Sequence, residues 1–131
     1  MEKNENKNLL NKGSSFKTTT DLDKEILFEG NIFKQQVFLK VMGDEDEEKE
    51  IIEIVENDNL IGRTPECNIQ FQVENVSRKH ALITFREDEY WLEDLDSKNG
   101  TYINGVKIAK CVLRNDDQID IGGVKMYFIR A

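Results

Sequence analysis

Ala81-Leu82-Ile83-Thr84-Phe85, the turn Arg86-Glu87-Asp88-Glu89 and the run Tyr90-Trp91-Leu92-Glu93 decide the fold class. Ala81, Ile83 and Phe85 alternate with Leu82 and Thr84, the period of two that a strand with one buried face requires. The same period recurs on both sides. Val37, Leu39 and Val41 alternate with Phe38, Lys40 and Met42; beyond an acidic run, Ile52 and Ile54 alternate with Glu53 and Val55, which reads as a hairpin. Ile119 and Ile121 precede Gly122-Gly123, and Val124, Met126 and Phe128 follow. Such a Gly-Gly pair supplies positive φ at both central positions of a two-residue hairpin turn. Many short strands, a single Pro and no long amphipathic helix imply an all-β sandwich of two mostly antiparallel sheets.

A chain of 131 residues is about one domain, and 38% apolar residues supply one core. Residues 1–34 read as a flexible N-terminal tail and 35–131 as the folded domain. The first twenty residues are rich in Asn, Lys, Glu, Ser and Thr, and Leu9, Leu10 and Phe16 alone cannot repay the entropy of ordering them. A short helical or irregular piece is expected to follow, with Asp21 as a candidate cap and Leu22, Ile26 and Leu27 as candidates for one face.

The net charge of −8 is unevenly placed, with nine acidic against three basic residues between positions 31 and 61. Most of that surplus is the run Asp44-Glu45-Asp46-Glu47-Glu48-Lys49-Glu50, read as a solvated hairpin loop or as a guard against acidic surfaces. No basic stripe survives the balance, which argues against nucleic acid as a partner. No apolar run approaches a membrane span and the first residues lack a signal-peptide core, so the expected location is cytoplasmic. Cys67, Cys111 and the single His80 lack metal-ligand spacing; no metal or cofactor is expected, and the cysteines read as reduced structural thiols.

Three polar stretches lie between the strand-like runs: Gly62-Arg63, Ser77-Arg78-Lys79-His80 and Ser97-Lys98-Asn99-Gly100-Thr101. Arg63 offers a rigid, permanently charged fork, Ser77 a hydroxyl, and Arg78 and Lys98 further cations, the donor set a phosphate dianion needs. Asn99 offers an amide with both donor and acceptor, suited to holding a peptide main chain. Ser77 and His80 (or Cys67 and His80) could also be read as a nucleophile and base, but no acid partner or nucleophile elbow accompanies them. The expectation is a protein without catalysis.

In order and approximate spacing, Gly62-Arg63, Ser77-Arg78-Lys79-His80, Asn99-Gly100-Thr101 and Asn104-Gly105 resemble the forkhead-associated (FHA) domain, a β-sandwich that reads phosphothreonine. The resemblance covers about residues 35 to 131 and implies a phosphopeptide-binding signalling module. It implies ligand contacts from Arg63, Ser77, Arg78, Lys98 and Asn99, and loop support from Gly62, His80, Gly100 and Thr101, with His80 bracing the recognition loop. The sequence departs from the commonest family pattern at Asn68, where Asp is frequent, and in the polar Gln70-Phe71-Gln72 run. Partners would be phosphothreonine proteins of a Ser/Thr kinase pathway. A niche for the threonine methyl would favour phosphothreonine over phosphoserine by roughly 1 kcal/mol, about fivefold. Lys98, Arg78 and Arg114 point to an acidic preference elsewhere in the ligand.

The tail carries Thr18-Thr19-Thr20-Asp21-Leu22-Asp23, candidate phosphorylation positions. A threonine run ahead of such a domain resembles the small stand-alone FHA regulators of 2-oxoglutarate metabolism, which clamp their own phosphorylated tail. The alternative reading is therefore a metabolic or signalling regulator inhibited by its own tail. The stretch from Thr20 to Val37 spans at most about 55 Å extended and about 20 to 24 Å as a coil.

Overall fold

The structure, a computed structural model, describes residues 36–130. The tail expectations, including Thr18, Thr19 and Thr20, lie outside the described residues. Eleven strands are present among them: β1 (Val37–Met42), β2 (Glu48–Glu53), β3 (Asp58–Gly62), β4 (Ile69–Gln70), β5 (Ala81–Arg86), β6 (Glu89–Asp94), β7 (Thr101–Ile103), β8 (Val106–Ile108), β9 (Lys110–Val112), β10 (Asp117–Ile121) and β11 (Val124–Arg130). They form a six-stranded sheet, β2-β1-β11-β10-β7-β8, and a five-stranded sheet, β4-β3-β5-β6-β9. All pairings are antiparallel except the two-residue β3–β4 contact. The all-β sandwich expected from the period-two pattern is the fold observed.

Alternation builds the core. Leu39 and Val41 from β1, Ile119 and Ile121 from β10, and Met126 and Phe128 from β11 face inward from one sheet; Ile83 and Leu92 face inward from the other. Tyr90 links the two layers, with its ring 4.7 Å from that of Phe85 and 5.6 Å from that of Phe128, both tilted. Such tilted pairs add to the area term that dominates burial of aromatic rings.

The acidic run is split rather than looped out as a whole. Asp44 to Glu47 make the turn, whereas Glu48 and Glu50 lie in β2, a sheet-edge strand. Charge along an edge prevents a further strand from pairing there, so two of the run's six acids serve the sheet itself.

Three hairpins turn through two consecutive residues with positive φ: Glu87-Asp88 (53° and 64°), Asn104-Gly105 (51° and 82°) and Gly122-Gly123 (57° and 85°). The last two use residues that tolerate this conformation, as Asp88 does in part, whereas Glu87 does not. Replacing Glu87→Asn together with Asp88→Gly should stabilise the fold by about 1 kcal/mol. The check is an upward shift of the urea midpoint at constant slope.

Candidate functional site

One end of the sandwich gathers the loops. Ala81, the first residue of β5, pairs with Ile61 near the end of β3 and with Asp94 at the end of β6. The β3–β4, β4–β5 and β6–β7 loops therefore leave the five-stranded sheet side by side. The β10–β11 turn joins them from the other sheet: a Cβ built on Gly122 would lie 2.6 Å from the Asn75 carbonyl oxygen and 2.7 Å from Val76 Cγ2. Only glycine allows that approach.

Arg63 is rooted through its backbone. Its N–H donates to the Ser77 and Arg78 carbonyls at 3.0 and 3.2 Å, and its Nε donates to the Val76 carbonyl at 2.9 Å. The side chain is exposed, and its terminal nitrogens hold no hydrogen bond to the described residues. Gly62 makes this seat: a Cβ there would fall 2.2 Å from the Arg78 oxygen and 2.6 Å from Cys67 Sγ. That oxygen also accepts from the Thr64 hydroxyl and the Cys67 thiol, each at 3.2 Å. Cys67 is thus a buried loop support, and both cysteines are free thiols.

His80 is fully buried and ties two loops together. The Ser77 N–H donates to its Nδ1 at 3.0 Å, which makes Nδ1 an acceptor and places the ring proton on Nε2. Nε2 then donates to the Gly100 carbonyl at 2.8 Å. With both nitrogens committed to backbone, His80 has no lone pair to offer the Ser77 hydroxyl as a base. Ser77 Oγ instead accepts the Lys98 N–H at 3.0 Å, which leaves its own proton free to donate outward.

Asn99 is exposed, and its Nδ2 donates to the Asn75 carbonyl at 2.9 Å. One amide N–H and the side-chain oxygen remain for a ligand. Beneath this loop sits Asp94, which sequence reasoning missed. Its Oδ1 accepts from the hydroxyls of Ser97 at 2.5 Å and Thr101 at 2.7 Å, and its Oδ2 accepts from the Ser97 N–H at 3.1 Å. Ser97 Oγ in turn accepts the Gly100 N–H at 2.9 Å. Burial raises the Asp94 pKa, but hydrogen bonds from Ser97 and Thr101 outweigh it and hold the carboxyl below its ordinary value. The signal was present as Asp94-x-x-Ser97, a spacing at which Asp accepts from the backbone three residues on.

The five expected contact residues, Arg63, Ser77, Arg78, Lys98 and Asn99, therefore share one end, over a frame that includes Gly62, His80, Gly100 and Thr101. Lys79 is exposed and pairs with Glu66 at 3.0 Å. Arg114 does not join them: it pairs with Glu89 at 3.1 Å, at the start of β6 and so at the far end of the strands. Asn68 precedes β4 rather than lying in it; its Oδ1 accepts the Leu60 N–H at 2.7 Å and its Nδ2 donates to Asn59 Oδ1 at 3.3 Å. A cation not foreseen, Lys107, lays its stem along Gly100, where a Cβ would meet its Cε at 3.0 Å. The acidic turn emerges at this same end, since Met42 closes β1 beside Lys125, whose ammonium pairs with Asp46. Among the described residues no cluster of three His, Cys, Asp or Glu side chains is placed to hold a metal, and no helix is long and apolar enough to cross a membrane.

Two outcomes follow from this geometry. His80→Ala leaves the Ser77 N–H and the Gly100 carbonyl without partners and should cost roughly 3 kcal/mol in denaturant unfolding. For Asp94, a folded-state pKa below the unfolded one gives stability that is complete above the ordinary carboxylate value and lost as pH falls through the folded value. Unfolding measured from about pH 6 down to about pH 2 should show a steeper loss for the native chain than for Asp94→Asn.

Comparison with known proteins accords with this arrangement. The FHA domain family model matches residues 59–122. The glycogen accumulation regulator GarA of Mycobacterium tuberculosis is 35% identical over 68 residues, which are 52% of this chain and 42% of that protein. An oxoglutarate dehydrogenase inhibitor of Corynebacterium jeikeium is 38% identical over 70 residues, 53% of this chain and 49% of that protein. The matched region thus spans less than half the length of these curated relatives. A solved structure from a study of phosphothreonine-dependent FHA domain interactions superposes with a TM-score of 0.65 at 26% identity, covering 72% of this chain and 95% of that one. With the motif residues gathered on one end of the sandwich, residues 59–122 are a forkhead-associated domain.

Proposed function

We propose that this protein binds phosphothreonine-containing protein segments through the loop end of its sandwich, as a regulatory module without catalysis. The observation that carries this reading is the division of labour in the loops: backbone groups and buried side chains hold the frame, while the ligand-competent atoms stay free. Arg63 keeps its terminal nitrogens, Ser77 its hydroxyl proton, and Asn99 one N–H and its oxygen. Arg63 would form a fork on the phosphate, Ser77 would donate a short hydrogen bond, and Lys98 and Arg78 would add charge. Asn99 would hold the ligand main chain through one donated and one accepted hydrogen bond.

Lys98, Arg78 and Lys107 stand on this side of the end and favour an acidic residue beside the phosphothreonine. The Asp44–Glu47 turn stands at the other flank and disfavours one there, as the guard reading of the acidic run requires. The partners are products of a Ser/Thr kinase, and the setting is cytoplasmic, in keeping with two free thiols.

A second reading is favoured by the relatives named as a regulator of glycogen accumulation and an inhibitor of oxoglutarate dehydrogenase. On this reading the protein regulates a metabolic enzyme, and phosphorylation at Thr18, Thr19 or Thr20 makes the tail a competing ligand. An effective concentration near 1 mM for a tethered segment would outcompete a partner of about 10 μM affinity by roughly 100-fold.

The test is titration of the full chain with an oriented phosphothreonine library and with peptides phosphorylated at Thr18, Thr19 or Thr20. Micromolar binding that vanishes without the phosphate and weakens at least about tenfold in Arg63→Ala is expected. Equal binding of phosphorylated and unphosphorylated peptides would sink the reading. Preference for a tail peptide over the library would make self-inhibition the leading mechanism.

A further inference from the structure

The atoms proposed to meet the ligand from the β6–β7 loop, those of Lys98 and Asn99, have no core contacts of their own to hold them. What fixes this loop lies underneath, at the last residue of β6. The Asp94 carboxylate accepts three hydrogen bonds, from the Ser97 hydroxyl, the Thr101 hydroxyl and the Ser97 N–H. The Ser97 oxygen passes the constraint on by accepting the Gly100 N–H, and Gly100 turns with φ +88°. Thr101 is fully buried, so its hydroxyl has no water to turn to. Between Ser97 and Gly100, the Lys98 N–H then reaches Ser77 Oγ and the Asn99 amide reaches the Asn75 carbonyl.

We propose that Asp94 is a positioning residue for phosphopeptide capture, which presents Lys98 and Asn99 and, through the Lys98 N–H, sets the Ser77 hydroxyl as a donor toward the phosphate. This rests on the binding reading above and adds a residue that touches no ligand. Two donors on one oxygen and a third on the other require an acceptor at both ends of the side chain, which only a carboxylate supplies. In Asp94→Asn, one orientation sets the amide N–H₂ against the Ser97 N–H; the other keeps that bond but forces both hydroxyls to reverse from donors to acceptors, which leaves the buried Thr101 proton without an acceptor and adds a second donor to a Ser97 oxygen that already takes the Gly100 N–H. The tie is weakened in either case.

The sign of the effect separates this role from plain electrostatics. A carboxylate close to a bound dianion repels it, so neutralising Asp94 without disturbing the loop would tighten binding. A positioning role predicts the reverse.

The test uses the full chain and a fluorescein-labelled degenerate phosphothreonine peptide mixture, read by anisotropy at neutral pH. Asp94→Asn should bind about tenfold more weakly although the protein becomes less acidic. Thr101→Val, which keeps the shape and deletes one donor, should lose several-fold, and the double variant should lose little more than Asp94→Asn alone, the mark of a shared interaction. In amide spectra of folded variants, the Lys98 N–H and the Asn99 side-chain resonances should move. Phe128→Leu, a core change outside the loops, should lower stability and leave affinity unchanged. Equal or tighter binding by Asp94→Asn, or an equal loss in Phe128→Leu, overturns the proposal. If Asp94→Asn does not fold, unchanged affinity in Thr101→Val does so. Native protein that binds no phosphorylated peptide overturns the binding reading itself; native binding with unaffected variants overturns only the role of Asp94.

Discussion

The loop end depends on one buried imidazole. His80 accepts from the Ser77 N–H and donates to the Gly100 carbonyl, and it joins the backbone ladder through its own N–H to Ile61 and its carbonyl from Leu95. Each of these groups would cost about 1–3 kcal/mol if buried and unpaired. This buried side chain ties the β4–β5 loop to the β6–β7 loop beneath the two exposed ties, Lys98 N–H to Ser77 Oγ and the Asn99 amide to the Asn75 carbonyl. The arrangement has a chemical corollary, because a ring whose two nitrogens are both spent on backbone cannot act as a proton acceptor for the adjacent serine.

Around that tie the loops follow a consistent division. Main-chain donors and acceptors, together with the side chains of Thr64, Cys67 and His80, hold the loops to each other, and Asp94 holds the β6–β7 loop to the end of its strand. Charged tips are left out of the frame. Arg63 shows both halves within one residue: its N–H and Nε are anchored to carbonyls while its terminal nitrogens project into solvent. Preorganised donors of this kind lose little freedom when an anion arrives, which is where affinity is gained. The two glycines at the crossings, Gly62 and Gly122, act by what they lack, since any side chain would separate the loops they bring into contact.

Charge at the loop end is not uniform, and this separates the protein from a general anion binder. The cations of the β3–β4, β4–β5 and β6–β7 loops face an acidic turn that enters from the six-stranded sheet. Lys125 answers only one of its carboxylates, that of Asp46. A ligand must therefore match a pattern rather than a sum, which agrees with an overall charge of −8 on a molecule proposed to bind a phosphorylated segment.

Much of this was legible in the chain alone. Period-two alternation and turn dipeptides determined the sandwich, because side-chain alternation across a sheet is a local property of the backbone. Residue chemistry and motif order singled out Arg63, Ser77 and Asn99 as candidates, because donor type belongs to the residue itself. What required the tertiary structure was proximity. Arg114 is a cation in a loop like the others, and only strand direction places it at the far end beside Glu89, whereas Lys107, unremarkable in sequence, reaches Gly100 through its pairing opposite Tyr102. Gly122 sits in a turn whose close neighbours, Asn75 and Val76, come from elsewhere in the chain, whereas Asp94 bonds locally to Ser97 and Thr101 and only its place beneath the recognition loops is tertiary. Sequence spacing cannot report hydrogen bonds and close approaches made across two sheets; those are decided when the strands pair and the loops at their ends are forced to share one space.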